Sequence, residues 1–385
     1  MRGTKLRASL ALVVCAVLVL PVSSFALSFQ VVDIGVLPGG LSSEGQDVNQ
    51  TGQVAATASD VSTTLPALYE SGALTPLALP EGATSGLALG INDAGDAAGI
   101  AEGVGLGSHA MLWSGGMVTD LGTLAGMDSS QGTGINNLGE VVGVSWLGSG
   151  GDRAFLYSGG TMIDIGTLGG SWAAAMGIND LSEIVGTSET SGGDLHAFLY
   201  GGETMTDLGT LAGATYSYGQ AINNLGHAAG VSEILVGSDS FVHAVVFQDG
   251  FVYDLGTLGG NESEAWGIND FGDVVGQADT GNPDLPFRDA FLYHDGVMYD
   301  LNDLIDPGSG WQLDTAWAIS NSGYITGTGR IDGESHGYLL VPVATPVPEP
   351  SSLALLGLGL GASVFRRGLR RPGSSNALAS PLPRC

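Results

Sequence analysis

The chain has 385 residues, with 39 acidic and 11 basic side chains, six histidines and two cysteines. The basic residues crowd into its ends, so residues 27–345 hold three arginines against 38 carboxylates, a formal charge of −35. That charge repels nucleic acid and anionic membranes, and Cys15 and Cys385 at the extremities cannot supply a disulfide framework or a cysteine metal site to the body.

Residues 1–7 form a basic n-region, 8–22 an apolar h-region, and Ser24-Phe25-Ala26 a small-x-small cleavage site. The pattern is that of a secretory signal covering 1–26, too short in its apolar run for an ordinary membrane span.

From there a repeat takes over. Residues 177–186, GINDLSEIVG, read as a strand, a tight turn and a second strand, because Asn, Asp and a closing small residue tolerate turn geometry. The unit recurs at Asn49, Asn92, Asn136, Asn179, Asn223, Asn269 and Ser320, at spacings of 43 to 51 residues. Two further landmarks keep step with it. One is an apolar strand, HAFLY at 196–200, and the other DLGTL at 207–211. A unit therefore holds four strands: a (AxGIN), b (EIVG), c (HAFLY) and d (MxDLG). The a–b and c–d links are short and the b–c link is variable, spanning 187–195 in one unit and 277–289 in another.

Four antiparallel strands in about 44 residues, seven times over, predict an all-β fold, a seven-bladed β-propeller across 27–345. The body opens on a strand d (29–37) and closes on a strand c (336–341). Pairing of these two would complete the last blade and remove exposed sheet edges.

Several residue types invite a functional reading. The Asp of each DLG motif recurs at one slot and fits a structural job, accepting backbone N–H groups where strand d ends. The pairs Asp93/Asp96, Asp180/Glu183 and Asp270/Asp273 flank hairpin turns. They lack a calcium-loop series, so they read as solvated carboxylates compatible at most with weak Ca2+ binding. His109, His196, His243 and His336 precede strand c one per unit, without metal-ligand spacing, and read as packing residues. No nucleophile elbow, phosphate loop or other catalytic motif is present, so neither a catalytic residue nor a cofactor is expected. Trp146, Trp172, Tyr216, Tyr218, Trp266, Trp311 and Trp317 fall on strand a or on the b–c and d–a links, which share one face of a propeller. They are the candidate ligand-binding residues, suited to stacking on sugar rings; the competing reading is packing between blades.

After the ring come Pro348, Glu349 and Pro350, an apolar run at 353–365, and Arg366, Arg367, Arg370 and Arg371. The run is marginal for a full span, and the arginines favour the cytoplasmic side. This tripartite tail, 346–371, closely resembles the PEP-CTERM sorting signal of Gram-negative bacteria. The resemblance implies an exosortase-type processing protease as partner, and export to the cell envelope or surface. Residues 372–385 are expected to be a disordered extension. The recurring HAFLY, DLGTLGG and GINxxGxVVG segments resemble the extracellular HAF-repeat family over about 28–341, which implies a secreted repeat protein and brings no catalytic residues with it.

The sequence thus points to a non-enzymatic structural or adhesive propeller that binds extracellular polysaccharide or surface proteins. The alternative is a polysaccharide-processing hydrolase or lyase on the same scaffold.

Overall fold

The computed structural model describes residues 27–343, apart from 104–106, 149, 238 and 283–287. The signal segment and the sorting tail, and with them the expected cleavage site, apolar run and disordered extension, lie outside the described residues.

Seven four-stranded antiparallel sheets follow one another around the ring. Blade 4 shows the pattern, with strand a at Gly169–Ile178, b at Ile184–Thr190, c at Leu195–Gly201 and d at Thr204–Gly209. Blade 7 is made from both ends of the body. Trp311–Ile319, Ile325–Ile331 and Glu334–Pro342 supply a, b and c, and Phe29–Asp33 supplies d. The closing register runs from Phe29 opposite Pro342 to Asp33 opposite Tyr338. The expected propeller and its closure by the N-terminal strand are both present.

Packing within a blade explains the repeat. The strand-b glycine leaves room beneath the middle residue of strand c. A Cβ on Gly186 would stand 2.1 Å from the Ala174 carbonyl oxygen and 2.9 Å from the Phe198 ring. Phe155, Phe198, Phe291 and Tyr338 fill this slot with no exposure. Blade 1 has Ala67 there and correspondingly tolerates Ala56 on strand b.

The DLG aspartates do the structural work expected of them. Asp207 accepts the Gly209 N–H at 2.7 Å, and Asp33, Asp120, Asp164 and Asp254 repeat the bond. They also hold the strand-c histidines, which packing alone had been expected to explain. His109, His196, His243 and His336 place Nδ1 within 2.8–3.0 Å of Asp120, Asp207, Asp254 and Asp33. The last of these pairs crosses the closing seam. A serine on the next blade's strand a completes the joint: Ser217 Oγ donates to the Gly209 carbonyl and accepts the Ala197 N–H. At the seam Ser43 does the same, bonding the Gly35 carbonyl and the Gly337 N–H.

The b–c links are shorter than the sequence suggested, because strands b and c run on into them. In blade 5 strand b reaches Val236 and strand c begins at Asp239, so one long hairpin replaces a loop. The d–a link before blade 7 instead coils into two short 3-10 turns, Leu301–Leu304 and Pro307–Ser309, which accounts for the long last spacing.

Candidate functional site: the axial channel

Strand a lies innermost in every blade, so seven copies of AxGIN surround the axis. Its last residues build one mouth of the channel. The recurrent Asn is nearly fully buried, at 3–5% exposure in all six copies, and is more than a turn former. Asn179 Oδ1 accepts the N–H groups of Leu181 and Glu183, while its Nδ2 donates to the Asn223 carbonyl of the next blade at 2.9 Å. Equivalent inter-blade bonds start at Asn49, Asn92, Asn136, Asn223 and Asn269.

The residue after it forms a second circle: Gln50, Asp93, Asn137, Asp180, Asn224, Asp270 and Asn321. Acid and amide alternate. Asn137 Nδ2 donates to both Asp93 and Asp180 at 3.0 Å, and each Asx oxygen accepts the backbone N–H of the preceding blade. Seven positions cannot alternate completely, and the break comes at Gln50, an amide that follows Asn321 around the circle and precedes Asp93. Gln50 accepts the Ser322 N–H across the seam. The turn carboxylates Asp93, Asp180 and Asp270, expected to be solvated, are thus parts of this belt, and Asp180 and Asp270 are only partly exposed.

Deeper in, strand a of every blade breaks register at the AxGIN variable position, as between Ala175 and Gly177. The extra residue is Gln46, Leu89, Thr133, Met176, Gln220, Trp266 or Trp317, and all seven line one axial cavity of about 210 Å³. A bulge leaves its extra residue unpaired and re-aims it, here toward the axis. The following slot must be small because adjacent strands touch there: a Cβ on Gly177 would lie 3.2 Å from the Ala221 Cα, and one on Gly267 3.0 Å from the Ala318 Cα.

Blade 1 breaks this rule with Asp47. Its carboxylate accepts the Val48 N–H and, across to blade 2, the Ile91 N–H, both at 2.8 Å. Loss of solvent pushes the carboxyl up to about 7, and Asp93 adds to the rise, against the lowering by the two N–H donors. Asp47 lines both the axial cavity and the belt-side cavity.

Of the candidate aromatics, Trp266 and Trp317 come together in the channel, with ring centroids 4.9 Å apart. Trp317 Nε1 donates to Thr328, whereas Trp266 Nε1 is buried without a partner among the described residues. The others are distributed around the loop-bearing face. Tyr216 and Tyr218 lie 5.6 Å apart at blade 5, and Trp172 donates to Asp152 at blade 4. Trp146 ends strand b of blade 3. Trp311 packs edge-on to Tyr338 beside the blade 7 core.

Sequence reasoning missed Gln46, Leu89, Thr133, Met176, Gln220 and Asp47. The available signal was the x of AxGIN, which varies widely while its neighbours are Gly or Ala, and the one acid standing in such a slot. No cluster of three or more metal-ligating side chains occurs among the described residues.

The ring's cations are all engaged. Arg288 contacts Glu262, Glu264 and Asp279, Arg330 bonds Asp314 in bidentate fashion, and Arg153 stands 4.0 Å from Asp164. On the same sector Asp289 occupies the histidine slot facing Asp300. Burial first, and then Asp300 and Asp314, raise its carboxyl to about 6, and Gln312 donates to it at 2.6 Å.

The family model of the PEP-CTERM protein-sorting motif matches residues 346–371, which include Pro348, Glu349, Pro350 and the four arginines. This signal, recognised by exosortase, marks the chain for export to the envelope or surface of a Gram-negative bacterium. No curated protein matches the sequence. An oligogalacturonate lyase from Vibrio parahaemolyticus is similar in structure over 82% of this chain and 97% of its own, at 12% identity and TM-score 0.51. TolB from Acinetobacter baumannii is similar at 14% identity and TM-score 0.42, over 73% of this chain and 60% of TolB. Trypanosoma rangeli sialidase is similar at 11% identity and TM-score 0.37, over 89% of this chain and 57% of its own. The chain therefore spans less than two thirds of the latter two. At such identities the likeness is one of fold alone. Among the described residues no helix is long and apolar enough to cross a membrane.

Proposed function

We propose that this exported ring is a non-enzymatic binding module that holds extracellular polysaccharide at its axial cavity. One observation carries the reading: seven bulges aim side chains of five kinds at one cavity, and two neighbouring ones are indoles in contact. A scaffold needing only inter-blade packing would repeat one residue there, as it does at the Gly/Ala slot. Trp266 Nε1 adds to the argument, since a buried donor without a partner costs about 1–3 kcal/mol and packing alone gives no return for it. Indoles stack on the apolar faces of sugars, while Gln46, Thr133 and Gln220 offer bonds to hydroxyls. With every ring arginine already paired and a body charge of −35, neutral or cationic polymers are favoured over anionic ones.

The test is a glycan-array screen, followed by Trp266→Ala and Trp317→Ala with folding checked by circular dichroism. Binding should fall by about tenfold or more for each, on the scale of a lost stacking contact. Undiminished binding by both folded variants would place the site elsewhere.

An enzymatic reading, a polysaccharide hydrolase or lyase, draws on Asp289, the buried acid facing Asp300. That carboxyl is 4% exposed, is tied to Gln312 and does not line the axial cavity. A turnover assay on any polymer that binds separates the two readings.

A further inference from the structure

The aromatic and acidic chemistry of the axial cavity is concentrated on one side. Blades 6, 7 and 1 are neighbours and supply Trp266, Trp317, Gln46 and Asp47, whereas Leu89, Thr133, Met176 and Gln220 line it from blades 2, 3, 4 and 5. Asp47 is also the departure from a rule that packing enforces. The other six blades have Gly90, Gly134, Gly177, Ala221, Gly267 and Ala318 at its slot, where the strands of adjacent blades nearly touch. The fold therefore needs no side chain there, and a half-buried carboxylate between two blades is unfavourable unless something compensates it. Its two oxygens accept one backbone N–H each, which leaves further acceptor capacity toward the cavity that it lines.

We infer that the Trp266–Trp317–Asp47 side of the channel is a subsite for a hexosamine residue with a free amino group. This rests on the reading of the axial cavity as a polysaccharide site and narrows its ligand. An ammonium placed there faces indole rings, the best of the aromatic partners for a cation, together with a half-buried carboxylate. The sugar ring supplies an apolar face for the indoles. At about 210 Å³ the cavity falls below the roughly 300–1,000 Å³ of drug-sized pockets, which suits one sugar unit rather than a chain segment. No arginine lines the cavity to repel a cation, and the acidic ring raises the local concentration of cationic sugars.

The experiment is calorimetric titration of the full-length protein with a D-glucosamine tetramer, its N-acetylated counterpart and n-butylamine at low ionic strength. The free-amine tetramer should bind at least about tenfold more tightly than the N-acetylated one. Asp47→Gly and Asp47→Ala restore residues that the other blades carry, so both should fold with unchanged near-ultraviolet dichroism and bind the two tetramers equally. Equal affinity in the parent, or a preference that survives either substitution, overturns the inference. So does n-butylamine binding as tightly as the free-amine tetramer, since charge alone would then explain the attraction. If the preference is absent while the N-acetylated tetramer still binds in a Trp266-dependent way, only this inference fails. If neither tetramer nor any arrayed polymer binds, the wider reading fails with it.

Discussion

Asp47 makes stability depend on pH in a direction opposite to that of an ordinary paired carboxylate. Its carboxyl rises from 3.8 to about 7 on folding, so the native state favours the protonated form. The resulting stabilisation is complete below the unfolded value and is lost as pH rises through about 7. Thermal melts of the parent and Asp47→Gly at about pH 4 and pH 8 should therefore diverge, with the parent losing ground at the higher pH. The differential should be about 2 kcal/mol after allowance for water in the channel. A pH-independent difference between the two proteins would contradict this. Gly186 gives a second prediction at this scale. Its Cβ would stand 2.1 Å from a backbone oxygen that has no room to retreat, so Gly186→Ala should cost about 3 kcal/mol or more in urea unfolding. Phe198→Ala, which empties the slot opposite, should cost about 3–5 kcal/mol.

Each hairpin is tied to the next around the axis, so a turn residue does inter-blade work. Asn179 caps two N–H groups of its own turn and donates to Glu183 and to the next blade's Asn223 carbonyl. Asn179→Ala leaves buried groups without partners and should destabilise by about 2–4 kcal/mol, whereas Leu181→Ala, on the exposed side of the same turn, should change little. Equal effects from the two would mean that the belt adds nothing beyond the hairpins. The hairpins themselves were legible in the sequence because Asn-Asp followed by a small residue is local turn chemistry. The extension of strands b and c into their link was not. Pairs such as Leu235 with Ser240 form only because the sheet beneath them is already in register.

The ring as a whole is held shut by one strand, one His–Asp pair, one serine clasp and the Gln50–Ser322 contact, which join residues 272 or more positions apart. Removing residues 27–40 takes away the outer strand of blade 7 and Asp33 together, and leaves the edge of Glu334–Pro342 unpaired. The truncated protein should aggregate or melt at least about 10 °C lower, measured by light scattering and calorimetry; an unchanged melting temperature would show that the seam is dispensable. Sorting is also a whole-chain property. Neutral residues in place of Arg366, Arg367, Arg370 and Arg371 remove the charge that favours the cytoplasmic side and should mis-sort the protein in a host with exosortase, read by cell fractionation.

The sequence by itself determined the seven-fold period, the four strands of each unit, the closing strand and the sorting tail. Each of these is written in local chemistry: turn residues, alternation, and short motifs repeated at a near-constant spacing. The DLG aspartates belong here too, since they bond an N–H only two residues away. Only the tertiary structure decided what the copies do to one another. Asn49 and Asn92 are 43 residues apart in the chain and in contact in the ring, so the belt could not be read from a single unit. The same holds for Trp266 and Trp317, which sequence reasoning grouped with five other aromatics on a face. A bulge in each strand turns these two inward to meet, while Trp146, Trp172 and Tyr216 stay on the blades where they started. Asp47 looks like one more acid among 39 until its strand packs against that of blade 2, because only that contact makes the slot small and half-buries the carboxylate.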